Sequence, residues 1–425
     1  MQKQIGPTDG DHPAEQFRNI AHVIHESWPY FDPAQMTGLM ALQKRRRTGC
    51  AIEWGNGPLE SRQQVVDFVR CSYLGLDNHP VIVAGAIEAI EAQRSLHWSC
   101  ARTRLNFDLL GELEEILSEM FCASVLAFSS GMLANLSAMP ILASGQLTGD
   151  RKPVVVFDRS ARISLAYHKS VVADETRVET IVHNDIGALE RLCRQNSVVA
   201  YVCDGVYFTG SYSPIKALRQ LQERYGLFLY VDDAHGISIF GRQGEGFARS
   251  QFSQVLGERT IIAGSLAKGF GASGGVLMLG AADHEALFRR HSVPYAFSVT
   301  PNLAAVGAAL GSCKIHRSAE LGQRQRRLAQ RIDLFDRRVA TAEQGNSLPI
   351  RTIVTGSEAN AIPIAKKLLD CGFYTLVTFF PTVGQGKAGI RVCITADHEV
   401  RDIERLCDGI LEVVAEITGK PYPLR

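Results

Sequence analysis

The chain has 425 residues, 46% hydrophobic and 21% charged, enough for a large core with a second, smaller unit beside it. Its 45 Lys and Arg against 44 Asp and Glu leave a net charge of +1, which argues against nucleic acid or an anionic membrane surface as partner. Ten scattered cysteines, with no C-x-x-C pair and no histidine cluster at metal spacing, argue against a disulfide scaffold and predict reduced thiols and no metal.

The polar start, MQKQIGPTDGDHPAEQF, has no apolar signal core. No stretch approaches the roughly 18 apolar residues of a membrane helix, so a cytoplasmic protein without a membrane span is expected. Residues 1–60 carry Pro, Gly and charge with little periodicity, and predict an arm with one or two short helices. The basic run Lys44-Arg45-Arg46-Arg47 reads as a solvated patch. A strand-like Val65–Val69 leads to Tyr73-Leu74-Gly75-Leu76, and a helix follows over Val81–Arg94, just after Pro80.

From about 106 to 335, helices alternate with short apolar strands. Leu109–Phe121 places Leu109, Leu113, Ile116, Leu117 and Met120 on one helical face. Ser124–Phe128, Val154–Phe157, Val198–Cys203, Leu227–Val231, Thr260–Ala263 and Gly275–Leu279 read as strands buried on both faces. The alternation predicts βαβ units and an α/β fold with a mostly parallel central sheet. Residues 61–335 would form this large domain, and 336–425 a smaller α+β domain with strands Ile350–Val354 and Ile390–Ile394 and helices Asn360–Leu369 and Val400–Ile417.

Three segments carry chemistry. In Tyr230-Val231-Asp232-Asp233-Ala234-His235 a buried strand ends at a carboxylate, the place where open parallel sheets bind ligands. Asp232 there can keep a pyridine nitrogen protonated, and His235 can bond a ring hydroxyl, although Asp-x-x-His alone also reads as a helix cap beside a surface histidine. In Ser265-Leu266-Ala267-Lys268, small residues and glycines surround one lysine, a setting that lowers a lysine pKa and makes it a Schiff-base nucleophile. Ser265 offers its hydroxyl to a phosphate. In Phe128-Ser129-Ser130-Gly131-Met132, a strand enters a turn that opens a helix, so the N–H groups of Gly131 and Met132 form an anion site or simply an ordinary capped start. The order of the three segments is that of fold-type-I enzymes of pyridoxal 5′-phosphate (PLP), a PLP-dependent transferase fold.

Within that fold the sequence resembles the α-oxoamine synthases, a family that includes 8-amino-7-oxononanoate synthase, 2-amino-3-ketobutyrate ligase and the CAI-1-type autoinducer synthases. The resemblance spans residues 65–415. It rests on Tyr73–Leu76, Glu112-Leu113-Glu114, the Ser-Gly-x-x-Ala-Asn loop ending at Asn135, Val231–His235, Gly241–Gly246, Pro381-Thr382-Val383 and Arg391 before Ala396-Asp397-His398. It implies that Lys268 holds PLP and takes the α-proton of an amino acid. An acyl thioester, on CoA or a carrier protein, is then attacked, and loss of CO2 gives an α-amino ketone. The resemblance further implies that Arg391 binds the substrate carboxylate, that Ser298 or Thr300 reaches the phosphate of a neighbouring subunit, and that the protein is a homodimer with a shared active site. A role in secondary or signalling metabolism is expected. The competing reading is a PLP-dependent aminotransferase.

The chain departs from the family where substrate is met. Arg162 stands where a ring-stacking histidine is usual; like charges face to face over a pyridinium predict either that Arg162 turns toward a substrate anion or that another group covers the ring. Cys71 replaces the asparagine before Tyr-Leu-Gly, and Phe208 replaces a serine; both predict a more apolar pocket. Ser99-Cys100-Ala101-Arg102 stands where a Gly/Ser-rich turn ending in arginine is common.

Overall fold

In a computed structural model, residues 20–40, 44–54, 63–97, 101–253, 255–380 and 382–422 are described. Ser99, Cys100, Pro381 and the first 19 residues lie outside them.

The arm differs from expectation. A 17-residue helix, Ile20–Met36, runs through Pro29 and Pro33, and Tyr30 and Phe31 dock it on Phe379 with ring centroids 6.1 and 5.2 Å apart. Strands β1 (Lys44–Thr48) and β2 (Ala51–Trp54) follow as a hairpin and join β3 (Gln63–Asp67). In the basic run, Arg47 is not simply solvated: its guanidinium pairs with Asp77.

The large sheet has seven strands: β4 (Ser124–Phe128), β5 (Val154–Asp158), β6 (Val178–Ile181), β7 (Val199–Asp204), β8 (Phe228–Asp232), β9 (Thr260–Ser265) and β10 (Gly275–Leu279). Their order is β4-β10-β9-β8-β7-β5-β6, with β10 antiparallel to both neighbours and the rest parallel. β7 through β10 are buried at every position, because helices cover both faces and alternation has no solvent side to serve. Two apolar cores flank the sheet, one containing Leu113, Val231 and Ile262, the other Met139, Phe157 and Ala263.

The C-terminal part holds β11 (Ile350–Gly356), β12 (Phe373–Tyr374), β13 (Leu376–Thr378) and β14 (Ala388–Cys393), with helices Glu358–Asp370 and Val400–Thr418. β11-β14-β13 form an antiparallel sheet, while β12 pairs in parallel with β3. Leu39, Ile52, Val65, Phe68 and Tyr73 share one core with Ile390, Val392, Ile403 and Ile410. The segment after β3 is laced to the last sheet: Cys393 N–H donates to the Phe68 carbonyl at 2.8 Å, and Ala396 N–H to that of Tyr73 at 2.8 Å.

Candidate active site

Parallel strands deliver their last residues to one edge of the sheet. Register sets Asp204 of β7 beside Asp232 of β8, and Asp232 beside Ala263 of β9. Asp232 accepts from Asn135 Nδ2 at 2.9 Å and from Ala234 N–H at 3.0 Å. Tyr230 donates to Asn135 Oδ1 at 2.7 Å, which fixes the amide with its nitrogen toward Asp232. Its neighbour Asp233 has another task. It is fully buried, accepts from Ala248 N–H at 2.8 Å, and is wrapped so closely that a Cβ on Gly205, Gly236 or Gly246 would meet it within 2.5 Å. Burial pushes the Asp233 carboxyl well up from its ordinary value.

Arg162 is the residue the sequence left unsettled. Its backbone N–H donates to Asp204 Oδ2 at 2.9 Å, its Nε bonds Asp204 Oδ1, and its Nη1 lies 3.6 Å from Asp232 Oδ1. The expected turn toward a substrate anion is therefore not what the side chain does here: two carboxylates already neutralise it. Burial pushes Asp204 up to about 6 against the pull of Arg162.

The phosphate turn is shaped by β10. Gly275 pairs with Phe128 on one side and Ser265 on the other. A Cβ on Gly275 would lie 2.4 Å from Gly131 N, so only glycine lets the turn close onto Ser265. Ser130 caps the helix Gly131–Ala143 by accepting from Leu133 N–H at 3.2 Å, and the first-turn N–H groups have no intrahelical acceptor. Behind the turn, Arg102 bonds Glu114 at 2.9 Å and the Ala127 carbonyl at 3.0 Å, while Ala127 N–H donates to Glu114 at 2.7 Å. Thr300 is buried, and Ser298 and Thr300 line a small cavity with Ser129 and Leu133 of the same chain.

Lys268 follows Ser265 and makes no hydrogen bond or ion pair among the described residues. Burial, then Arg162, lowers its ammonium to about 8, against the opposing pull of Asp232, Cys71 and Asp204. These effects place Lys268 between the cofactor and substrate sides. His235 is buried, and its Nδ1 shares a 2.6 Å hydrogen bond with Tyr73 OH. Burial and the nearby Lys268 and Arg162 keep the imidazole well below its usual pKa, hence neutral.

Arg391 is 1% exposed. Its Nε donates to the Phe208 carbonyl at 2.8 Å, and the Phe208 ring lies 4.1 Å from the guanidinium carbon. Its Nη2 has no partner among the described residues. Cys71 adjoins Arg391, Cys393 and Tyr73. Thus Arg391, Phe208 and Cys71, far apart in sequence, meet in one place. At Cys71, hydrogen bonding from Cys393, then Arg391 charge, lowers the thiol well below the ordinary value despite burial. Asp204, Asn135, Tyr73 and Cys393 were missed as site residues, although Asn135 and Tyr73 stand in motifs that the sequence already offered.

The donor set fits PLP. An anion turn with Ser265 suits a phosphate, Asp232 a pyridine nitrogen, His235 Nε2 a ring hydroxyl, and the amine of Lys268 an aldehyde. Among the described residues no cluster of three His, Cys, Asp or Glu could hold a metal ion, and no helix is long and apolar enough to cross a membrane.

Comparison with known proteins agrees with this geometry. A family model described as aminotransferase class I and II matches residues 71–410. The chain is similar to 8-amino-7-oxononanoate synthase of Maricaulis maris (strain MCS10), 30% identical over 90% of this chain and 96% of that one. It is also similar to that of Geobacter sulfurreducens, 29% identical over 85% and 92%. Its fold matches a serine palmitoyltransferase from S. paucimobilis solved with PLP and myriocin bound, at a TM-score of 0.81 and 19% identity over 95% of this chain and 100% of that one.

Proposed function

The chain belongs to the aminotransferase class I and II family, in its α-oxoamine synthase branch, and on that premise we propose that it joins an amino acid to an acyl thioester with loss of CO2. It is a PLP-dependent acyltransferase. The observation that carries the substrate side is the buried guanidinium of Arg391, whose Nη2 has no partner among the described residues and whose charge, like that of Lys268, is felt at Cys71 and His235. A buried arginine with an unpaired N–H is a ready site for a carboxylate.

When bound, PLP supplies an aldehyde that takes up an amine and a protonated ring that withdraws electrons from the α-carbon. The chain's own residues do the rest. Gly131, Met132 and Ser265 hold the phosphate, with Thr300 close by. Asp232, oriented by Asn135 and Ala234 N–H, holds a proton at the ring nitrogen. His235, fixed by Tyr73, positions the ring from its hydroxyl edge. Lys268, lowered to about 8, has a neutral fraction at physiological pH and moves the α-proton. Arg391 orients the amino acid by its carboxylate, and Phe208 holds the guanidinium plane.

Cys71, Phe208 and Arg162 differ from the family's usual residues, which supports a substrate pair outside biotin, haem or sphingolipid synthesis, in secondary or signalling metabolism. The thioester is carried by CoA or a carrier protein. A homodimer is supported by outward apolar residues on the helix Pro80–Gln93, Val83, Ile87 and Ile90, and by Phe297, 81% exposed beside the phosphate turn.

The test is thiol release by the PLP-loaded protein across amino acids and acyl-CoAs of several lengths, with mass spectrometry of the products. Release that requires one amino acid, with a product lighter by CO2, is expected. Pyridoxamine phosphate formed from an amino acid without thioester would establish the aminotransferase instead.

A further inference from the structure

Asp158, the last residue of β5, is 1% exposed and held from several sides. It accepts from Ser160 N–H at 2.7 Å, Asn184 N–H at 2.9 Å and Tyr201 OH at 2.8 Å, and His183 Nδ1 lies 3.0 Å from its Oδ1. Burial raises this carboxyl, but the hydrogen bonds from His183, Asn184 N–H and Tyr201 outweigh burial and keep it ionised. Register delivers the histidine: Asp158 pairs with Ile181 of β6, and His183 stands two residues beyond. Its ring meets Tyr207 edge to face, with centroids 4.4 Å apart. The hairpin after β7 is closed by the Val206–Tyr212 bridge and by Tyr207 N–H to the Ser211 carbonyl at 2.8 Å. It brings Ser211 Oγ to 3.2 Å from His183 Nε2. The neighbouring amide fixes the tautomer. Asn184 Nδ2 donates to the Tyr212 carbonyl at 3.0 Å, so the same nitrogen faces His183 Nε2, 3.2 Å away, as a donor. Nε2 therefore carries the lone pair, and Nδ1–H points at Asp158.

We propose that Ser211, His183 and Asp158 form a second nucleophilic site, with Ser211 as the nucleophile and acyl esters and thioesters as its substrates. A hydroxyl, a neutral imidazole and a carboxylate joined in this order are recognised by geometry and not by position in the chain. Solvent reaches the group, since Ser211 is half-buried and the His183 side chain is 30% exposed. None of the three residues belongs to the cofactor or amino-acid side of the PLP pocket, so the inference stands apart from the condensing reaction. Ser211 Oγ attacks the acyl carbon while its proton passes to His183 Nε2, and Asp158 holds the imidazolium. Protonation turns Nε2 from acceptor to donor. The Asn184 N–H then loses its acceptor and is released to the oxyanion beside it. The bond to the alcohol or thiol breaks, the leaving group departs with the proton from Nε2, and an ester remains on Ser211. Water, giving its proton to the same imidazole, frees the acid and restores the hydroxyl. One water is consumed for each ester or thioester. Because the Ser211 O–H and the Asn184 N–H share one lone pair, turnover is slow.

The experiment treats the PLP-loaded wild-type chain with a fluorophosphonate and maps the adduct by mass spectrometry. The Ser211 oxygen bonds phosphorus, the P–F bond breaks, and fluoride leaves with the hydroxyl proton. An adduct on Ser211 is expected, and this readout needs no variant. His183→Gln should slow its formation at least about a hundredfold. Hydrolysis of p-nitrophenyl acetate is then followed in the Lys268→Ala background, where that amine cannot take the acyl group. Adding Ser211→Ala there should abolish the enzymatic rate. Ser211→Ala alone should leave thiol release with an amino acid unchanged. No adduct on Ser211 overturns the inference, as does an adduct that forms as fast in His183→Gln or a hydrolysis rate that Ser211→Ala leaves in place. Failure of condensation is a separate result: labelling of Ser211 that depends on His183 stands whether or not an amino acid and an acyl thioester are joined.

Discussion

The two sides of the pocket are built differently. The cofactor side comes from neighbouring strands of one sheet: Asp204, Asp232, Ser265 and the turn after Phe128 are brought together by register alone. The substrate side joins Cys71, Phe208 and Arg391 from three remote segments. Cofactor binding needs a fixed frame, and adjacent strand ends supply one. Substrate choice needs variable side chains, and three separate segments can change without disturbing that frame.

The difference makes graded predictions. Lys268→Ala strikes where the two sides meet, and thiol release should fall about a thousandfold. Asp232→Asn, confined to the cofactor side, should cost about a hundredfold in turnover and weaken PLP retention measured by equilibrium dialysis. Its neighbour gives the contrast: Asp233→Ala should lower stability by about 2 kcal/mol in urea unfolding, because a buried polar cluster loses its centre. Arg391→Lys should raise KM for the amino acid about tenfold and leave that for the thioester unchanged. If it also weakened PLP retention, the two sides would not be separable. The mildest test is pH. Only the neutral amine of Lys268 attacks an aldehyde, so loading of the apo chain should quicken as pH rises, by up to about tenfold per unit, and level off near 8. An ordinary lysine would keep gaining toward pH 10.

The same contrast explains what was legible in the sequence. Asp-x-x-His, Ser-x-x-Lys and the Ser-Gly turn are contiguous, and apolar strands announce the sheet that aligns them. The meeting of Cys71 with Arg391 has no local signature, since nothing in either segment encodes the bonds from β14 to Phe68. Asp204 passed unnoticed because one aspartate after an apolar run is an ordinary strand end; only its pairing with Asp232 gives it meaning. β6, with the sequence Val-Glu-Thr-Ile, is short and half polar, as an edge strand often is. Pro29 and Pro33 read as breakers, yet the helix Ile20–Met36 passes through both because its aromatic face is docked on Phe379.

The parallel pairing of β3 with β12 orders events during synthesis. Gln63–Asp67 must wait until Phe373–Tyr374, about three hundred residues later, has left the ribosome. The seven-stranded sheet is complete at Leu279, so the frame for the cofactor can form on the nascent chain while the substrate wall is still being made. A newly made chain is thus ready for PLP before it is ready for an amino acid.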